Sequence, residues 1–313
     1  MVRRATQNPS YPPTTLAQPV ITQSKARAIA ALMVASFLFG ATFVVVKGAV
    51  ETMPPTSFIA WRFAIGAVAL LVIAWPKGRT IWRDGAIAGS ALFAGYALQT
   101  GGLALTSATN SALITGLFVV LTPFLAAAFH RYAPSPWSVG AAVTAFIGLM
   151  LITGAGGLQL SAGDLLTIGC AFAFAVHVVA LSVLAPRHPV IPFTAVQLSV
   201  VALASIALGG VLDGYALPEA SVWPAILLTG LGVSVGAYVL QAWAQRVVGA
   251  STTAVVLAAE PAFGVATAWV VLDERLDLAG WIGAGLILTA IVVVIRRQRD
   301  PASIQAEAVT PAH

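Results

Sequence analysis

Apolar residues fall in long blocks along this chain, and the polar positions lie between the blocks instead of alternating within them. The blocks cover 28–50, 56–75, 85–105, 108–129, 136–155, 162–185, 191–212, 222–243, 250–272 and 278–296. Each is about 20 residues long, the length of helix that crosses a hydrocarbon core of roughly 30 Å. The breaks METMPPT, PKGRTIWRDG, RYAPSP, PRHPVIP and LDERLDL carry proline, glycine or charge, residues that end or turn a membrane helix. The pattern predicts an all-α membrane protein of ten transmembrane helices. Residues 1–27, polar and rich in proline, and residues 298–313 read as flexible tails. The first block comes too late and is too long for a cleaved secretory signal, so it reads as a retained helix.

Composition points the same way. Of 313 residues, 59% are hydrophobic and 9% charged, against roughly 25% charged in a soluble domain. A chain so poor in polar groups cannot cover itself against water. The net charge of +5 would suit a nucleic-acid partner, but the positions of the charges explain it otherwise. With the N-terminus cytoplasmic, thirteen of the sixteen Lys and Arg fall inside, Lys47 and Arg275 fall outside, and Arg62 lies within the second span. That asymmetry predicts a multi-pass protein of the cell inner membrane with both termini in the cytoplasm, and no nucleic-acid partner.

The chain also repeats itself. At an offset of 135, Phe39 matches Phe174, Phe58 matches Phe193, and Ala60-Trp61-Arg62 faces Ala195-Val196-Gln197. At an offset of 142, Tyr96, Leu98 and Gln99 match Tyr238, Leu240 and Gln241, and Asn110 falls on Thr252. After a one-turn difference, Thr122-Pro123 falls on Glu260-Pro261. Two five-helix units follow, 28–155 and 162–297. Five is odd, so the second unit enters the membrane from the opposite side, and such inverted repeats place a site near the midplane where the halves meet. Pro123 and Pro261 are the matched helix breaks. Gly85 and Gly89, Gly232 and Gly236, and Gly280, Gly283 and Gly285 read as packing contacts between helices.

Glu260 is the residue that most needs explaining. A carboxylate near the middle of the block 250–272 is expensive unless it faces protein or water. Pro261 beside it leaves the Leu257 carbonyl without its helical donor, so a neighbour must satisfy it. Arg62 lies about 9 Å from one end of its span and Glu260 about 15 Å from the other, so their depths differ by only about 6 Å. The two either pair, directly or through water, or Arg62 reaches the outer interface and Glu260 alone faces a cavity. Glu260 is also the candidate proton carrier. Gln99, Gln241 and Asn110 are candidates for the same cavity, with Trp61, Tyr96 and Tyr238 as an aromatic wall. His177 reads either as a hydrogen-bonded packing residue or as a cavity residue. Lys47 reads as an interfacial anchor or a gate.

Catalytic and nucleotide motifs fail to match. No GxxxxGK[ST] or HExxH occurs, and the single cysteine, Cys170, offers neither a disulfide nor a thiolate metal site. No enzyme activity, metal or cofactor is expected. The expected partners are a small-molecule substrate and the lipid bilayer, with a homodimer left open.

The stretches FLFGATFVVVKGAV, FIAWRFAIGAVAL, TSATNSALITGLFVVLTPFLAAAF and VVGASTTAVVLAAEPAFGVATAWVVLDERLDLAGWIGAGLILTAIVV resemble the EamA type of the drug/metabolite transporter superfamily across residues 28–297. The resemblance implies a ten-helix permease, often an exporter, for small metabolites or toxic compounds. Two positions depart from the family pattern. Phe39 stands where the family has tryptophan, and HRYAPSP stands where a Glu-Arg pair is common. The competing reading is a membrane-embedded enzyme or scaffold in which Arg62 and Glu260 are structural.

Overall fold

The structure, a computed structural model, describes residues 17–41, 43–50, 52–103, 105, 114–131, 133–153, 161–212, 214, 216–260, 262–264, 266–267 and 277–297. They form α1 (Ala17–Ala41), α2 (Phe43–Val50), α3 (Pro55–Ile73), α4 (Arg79–Leu103), α5 (Phe118–His130), α6 (Pro136–Thr153), α7 (Ala162–Leu184), α8 (Val190–Leu212), α9 (Trp223–Ala244), α10 (Ala250–Leu257) and α11 (Leu278–Arg297). No strand occurs among the described residues.

Local chemistry sets the helix starts. Pro54 and Pro55 open α3, where a helix has no use for its first N–H groups. The turn before α4 needs Gly78, at φ 88°, which only glycine adopts freely. Ser161 opens α7 with a reciprocal cap: its Oγ accepts from the Asp164 N–H at 3.1 Å, and its own N–H donates to Asp164 Oδ2 at 2.8 Å. Within α9 the middle stretch Leu228–Ala237 is a π-helix, a rare form found frequently at functional sites.

Six of the described helices are long and apolar enough to cross a bilayer, and two shorter ones, Phe118–His130 and Pro136–Leu151, are apolar as well. Val68, Val72, Leu165, Leu203 and Leu288 are exposed on their outer faces, a surface suited to lipid. Two expected segments differ. Helix α1 starts at Ala17, so the second part of 1–27 is helix and not tail. The block 250–272 turns at Ala258 and Ala259, and helix resumes at Glu260.

Packing runs mainly between the two halves. Helix α3 lies along α8, α4 along α7 and α8, α6 along α11, α5 along α7 and α10, and α1 along α9 and α10, while α9 also meets α3. Exchanging α1 with α7, α3 with α8, α4 with α9, α5 with α10 and α6 with α11 leaves these pairings unchanged. The internal repeat is therefore present in three dimensions as a two-fold relation between the halves.

One polar contact fixes an end of this bundle. Asp84, one residue ahead of the block 85–105, is buried, and its Oδ2 lies 2.8 Å from His188 Nε2. Arg83 donates to Asp84 Oδ1 from Nε at 3.0 Å and from NH2 at 2.9 Å. Burial pushes the Asp84 carboxyl up, but the hydrogen bonds from His188 and Arg83 and their charges outweigh it and hold the group below its ordinary range. A carboxyl depressed in the folded state stabilises above its unfolded pKa, near 3.9, and loses that contribution as pH falls through the folded value. Asp84→Asn is thus expected to lower stability in detergent by about 2 kcal/mol at neutral pH. The deficit shrinks below about pH 4, as thermal unfolding at pH 7 and pH 3.5 would show.

Candidate functional site

Two tyrosines related by the repeat meet where the halves meet. Tyr96 on α4 and Tyr238 on α9 bring their hydroxyls to 2.6 Å. Their ring neighbours exchange in the same way: Phe39 packs edge-on against Tyr238 at 5.1 Å, and its match Phe174 packs edge-on against Tyr96 at 5.6 Å. Phe63 touches both tyrosine rings, at 5.0 and 6.1 Å. The scaffold is two-fold and aromatic.

The charges on it are not symmetric. Arg62, 5% exposed, donates from Nε to Ser234 Oγ at 3.0 Å. Its guanidinium lies 5.2 Å from the Phe63 centroid and 5.7 Å from that of Tyr96. Gln197, at the matching position of the other half, lies 3.1 Å by its Oε1 from His177 Nε2. Thr122, which matches Glu260, turns its hydroxyl back to the Phe118 carbonyl at 2.6 Å. A cation and an anion therefore come from opposite halves, and each faces a neutral counterpart.

Glu260 is half-buried and lies within Coulombic reach of both Arg62 and Tyr238. Among the described residues its carboxylate has no hydrogen-bond or ion-pair partner, and Arg62 bonds Ser234 instead. Glu260 reaches this position because α1 comes very close to the turn before it. Gly40 leaves room for the Glu260 carbonyl, and Ser36 Oγ donates to the carbonyls of Val256 at 3.3 Å and Leu257 at 3.2 Å. The acceptor that a proline at position 261 cannot serve is thus satisfied by α1.

The other expected site residues scatter. Gln241 is buried and donates to Gln245 Oε1 at 3.2 Å, while Gln245 donates to the Val178 carbonyl at 2.7 Å. Gln99 is half-buried on α4. Trp61 does not join the tyrosines: it donates to the Ala216 carbonyl at 3.3 Å and packs on Trp223 at 5.7 Å. His177 is buried, 6.3 Å from the Tyr238 ring. Pro123 is buried inside α5. Asn110, Pro261 and the Lys47 side chain lie outside the described residues. Ser36, Phe63, Phe174, Gln197 and Ser234 join the site without having been singled out for it. For Phe174 and Gln197 the signal was present, because each sits opposite Phe39 or Arg62 in the repeat. No three His, Cys, Asp or Glu side chains converge among the described residues to hold a metal.

Removing one tyrosine hydroxyl strands the other, whereas removing both leaves two apolar rings in contact. Tyr96→Phe and Tyr238→Phe are each expected to cost about 1 kcal/mol. The double variant should cost clearly less than the sum, which a double-mutant cycle on thermal unfolding would measure.

Comparison with known proteins agrees with this geometry. The profile of the EamA-like transporter family matches residues 26–154 and 161–296, one match per half. An uncharacterized transporter of Archaeoglobus fulgidus is 30% identical over 266 residues, covering 85% of each chain. The uncharacterized transporter YyaM of Bacillus subtilis is 33% identical over 145 residues, 42% of this chain and 48% of its own. A solved crystal structure superposes with a TM-score of 0.73 over 94% of this chain and 100% of its own, at 19% identity, a likeness of fold alone.

Proposed function

Because the chain belongs to the EamA-like transporter family and crosses the membrane several times, we propose that it exports a small organic solute across the cell inner membrane by alternating access. Ten helices form two inverted five-helix units, both termini are cytoplasmic, and the halves rock around the paired tyrosines. The observation that carries this reading is the meeting of Tyr96 and Tyr238 at 2.6 Å, flanked by Arg62 and Glu260 from opposite halves that do not bond each other. A structural ion pair would be closed on itself. Here the guanidinium is held by Ser234 and two rings, which leaves the carboxylate available to a solute or a proton. Glu260 is the proton carrier in this reading, and Arg62 binds the solute.

The test uses the purified full chain in liposomes with a panel of amino acids, nucleosides and cationic dyes, each with and without a pH gradient. Flux of at least one solute above that of empty vesicles supports export. Flux that ignores the gradient in the wild type removes the proton from the mechanism, and flux that keeps its gradient dependence in Glu260→Gln removes Glu260 as its carrier. No flux across the panel, together with chemical change of a lipid, favours the membrane-enzyme reading.

A further inference from the structure

The repeat allows the two ends of the bundle to be compared residue by residue. At the offset of 135, His188 corresponds to Met53 and Phe193 to Phe58; at 142, Asp84 corresponds to Ile226. Met53, Phe58 and Ile226 are buried together in one apolar cluster with Ala49 and Val222. At the opposite end the same three positions hold a charged contact: Asp84 Oδ2 is 2.8 Å from His188 Nε2, and the His188 ring stacks on Phe193 at 5.4 Å. One junction is made twice, once with hydrocarbon and once with a hydrogen-bonded carboxylate.

The space beside the two junctions also differs. At the start of α3, two residues after Met53 in the sequence, a cavity of about 160 Å³ opens between α3, α4 and α8, lined by Pro55, Thr56, Ile59, Phe93, Thr100 and Ser205 among others. The corresponding place beside His188 is shut. Thr194, the match of Ile59, is 1% exposed, and Ala242, the match of Thr100, is 0% exposed. Thr194 Oγ1 is buried with no hydrogen-bond partner among the described residues. A stranded hydroxyl opposes closure, since opening this end would let water reach it. Something at this end must offset it, and the Asp84–His188 contact is a strong interaction present here and, among the described residues, lacking at the other end.

We infer that the Asp84–His188 pair is a latch that keeps its end of the bundle closed. Breaking it favours a second state, in which the face around Thr194 opens to water and the cavity around Ser205 closes. Both residues act by positioning α4 against the α7–α8 corner and touch no solute. The inference rests on the alternating-access reading, and it assigns to this pair the balance between the two states.

The test measures water access in the full chain reconstituted in nanodiscs, with Cys170→Ala as background and a water-soluble maleimide as probe. Thr194→Cys is expected to label slowly. Adding Asp84→Asn or His188→Asn should speed that labelling about tenfold, the factor for a charge-assisted hydrogen bond lost from one state, and should slow the labelling of Ser205→Cys. Unchanged labelling at both positions in a monodisperse variant of full helical content overturns the latch. Where those variants do not fold, Met53→His with Ile226→Asp builds the pair at the other end and is expected to slow Ser205→Cys. Unchanged labelling there overturns the latch as well. The readout needs no solute. Shifted labelling without flux in the liposome panel keeps the latch and sinks the transport reading, and flux with unshifted labelling does the reverse.

Discussion

Arg62→Gln is expected to cut the flux of the best-transported panel solute by about 100-fold, and Arg62→Lys to recover little of it. The residue makes several contacts at once. Its Nε is committed to Ser234 at 3.0 Å, its Cζ lies 5.2 Å from the Phe63 centroid and 5.7 Å from that of Tyr96, and its terminal nitrogens have no partner among the described residues. Those nitrogens are the donors left for an anionic group on a solute, and two hydrogen bonds to a charged group supply roughly 3 kcal/mol, or about a factor of 100. Lysine keeps the charge but not the fork. A single ammonium cannot bond Ser234, sit beside two rings and still present two donors. Ser234→Ala is expected to lose only about fivefold, because it frees Nε without removing the terminal donors. Initial flux rates, read beside helical content to exclude misfolding, decide the matter. Full flux in Arg62→Lys would mean that the site needs a charge and no particular shape.

The helices were legible because lipid leaves the chain little choice. A backbone that must satisfy itself over some 20 residues becomes a helix, and the blocks 56–75, 191–212 and 278–296 appear as Pro55–Ile73, Val190–Leu212 and Leu278–Arg297. The two tyrosines were legible as a repeated pair, and their contact follows from the two-fold relation that the repeat creates. Trp61 was misplaced for a geometric reason. Adjacent helical residues point about 100° apart, so with Arg62 and Phe63 turned to the tyrosines, Trp61 turns to Trp223. Ser234 was hidden because a π-helical stretch shifts side-chain directions and has no hydropathy signature. Asp84 and His188 are separated by 104 residues and lie in breaks that also carry Lys77, Arg79, Arg83 and Arg187. Nothing local distinguishes them from the ordinary charged residues of a loop.

Gly40→Val is expected to be among the most damaging single changes in the chain. A Cβ at Gly40 would lie 2.8 Å from the Gly264 N and 3.0 Å from Phe263 Cβ, and closer still to the Glu260 carbonyl. Two of those three neighbours are backbone atoms, which cannot rotate away. The valine must therefore push α1 off the segment that carries Glu260, and the hydrogen bonds of Ser36 to Val256 and Leu257, one turn earlier on α1, go with it. Overpacking of this kind costs about 3 kcal/mol, and flux should fall more than tenfold because Glu260 moves relative to Arg62. The sign of the smaller change is more telling than its size. Inside a helix, Gly→Ala ordinarily stabilises by roughly 0.5–1 kcal/mol through the backbone alone, and Gly48→Ala, with nothing within 4 Å of its new Cβ, should behave that way. Gly40→Ala should lower the thermal midpoint instead. Equal effects from the two alanines would mean that α1 at Gly40 does not touch the segment that begins at Glu260, and that contact is what brings the carboxylate within reach of the arginine.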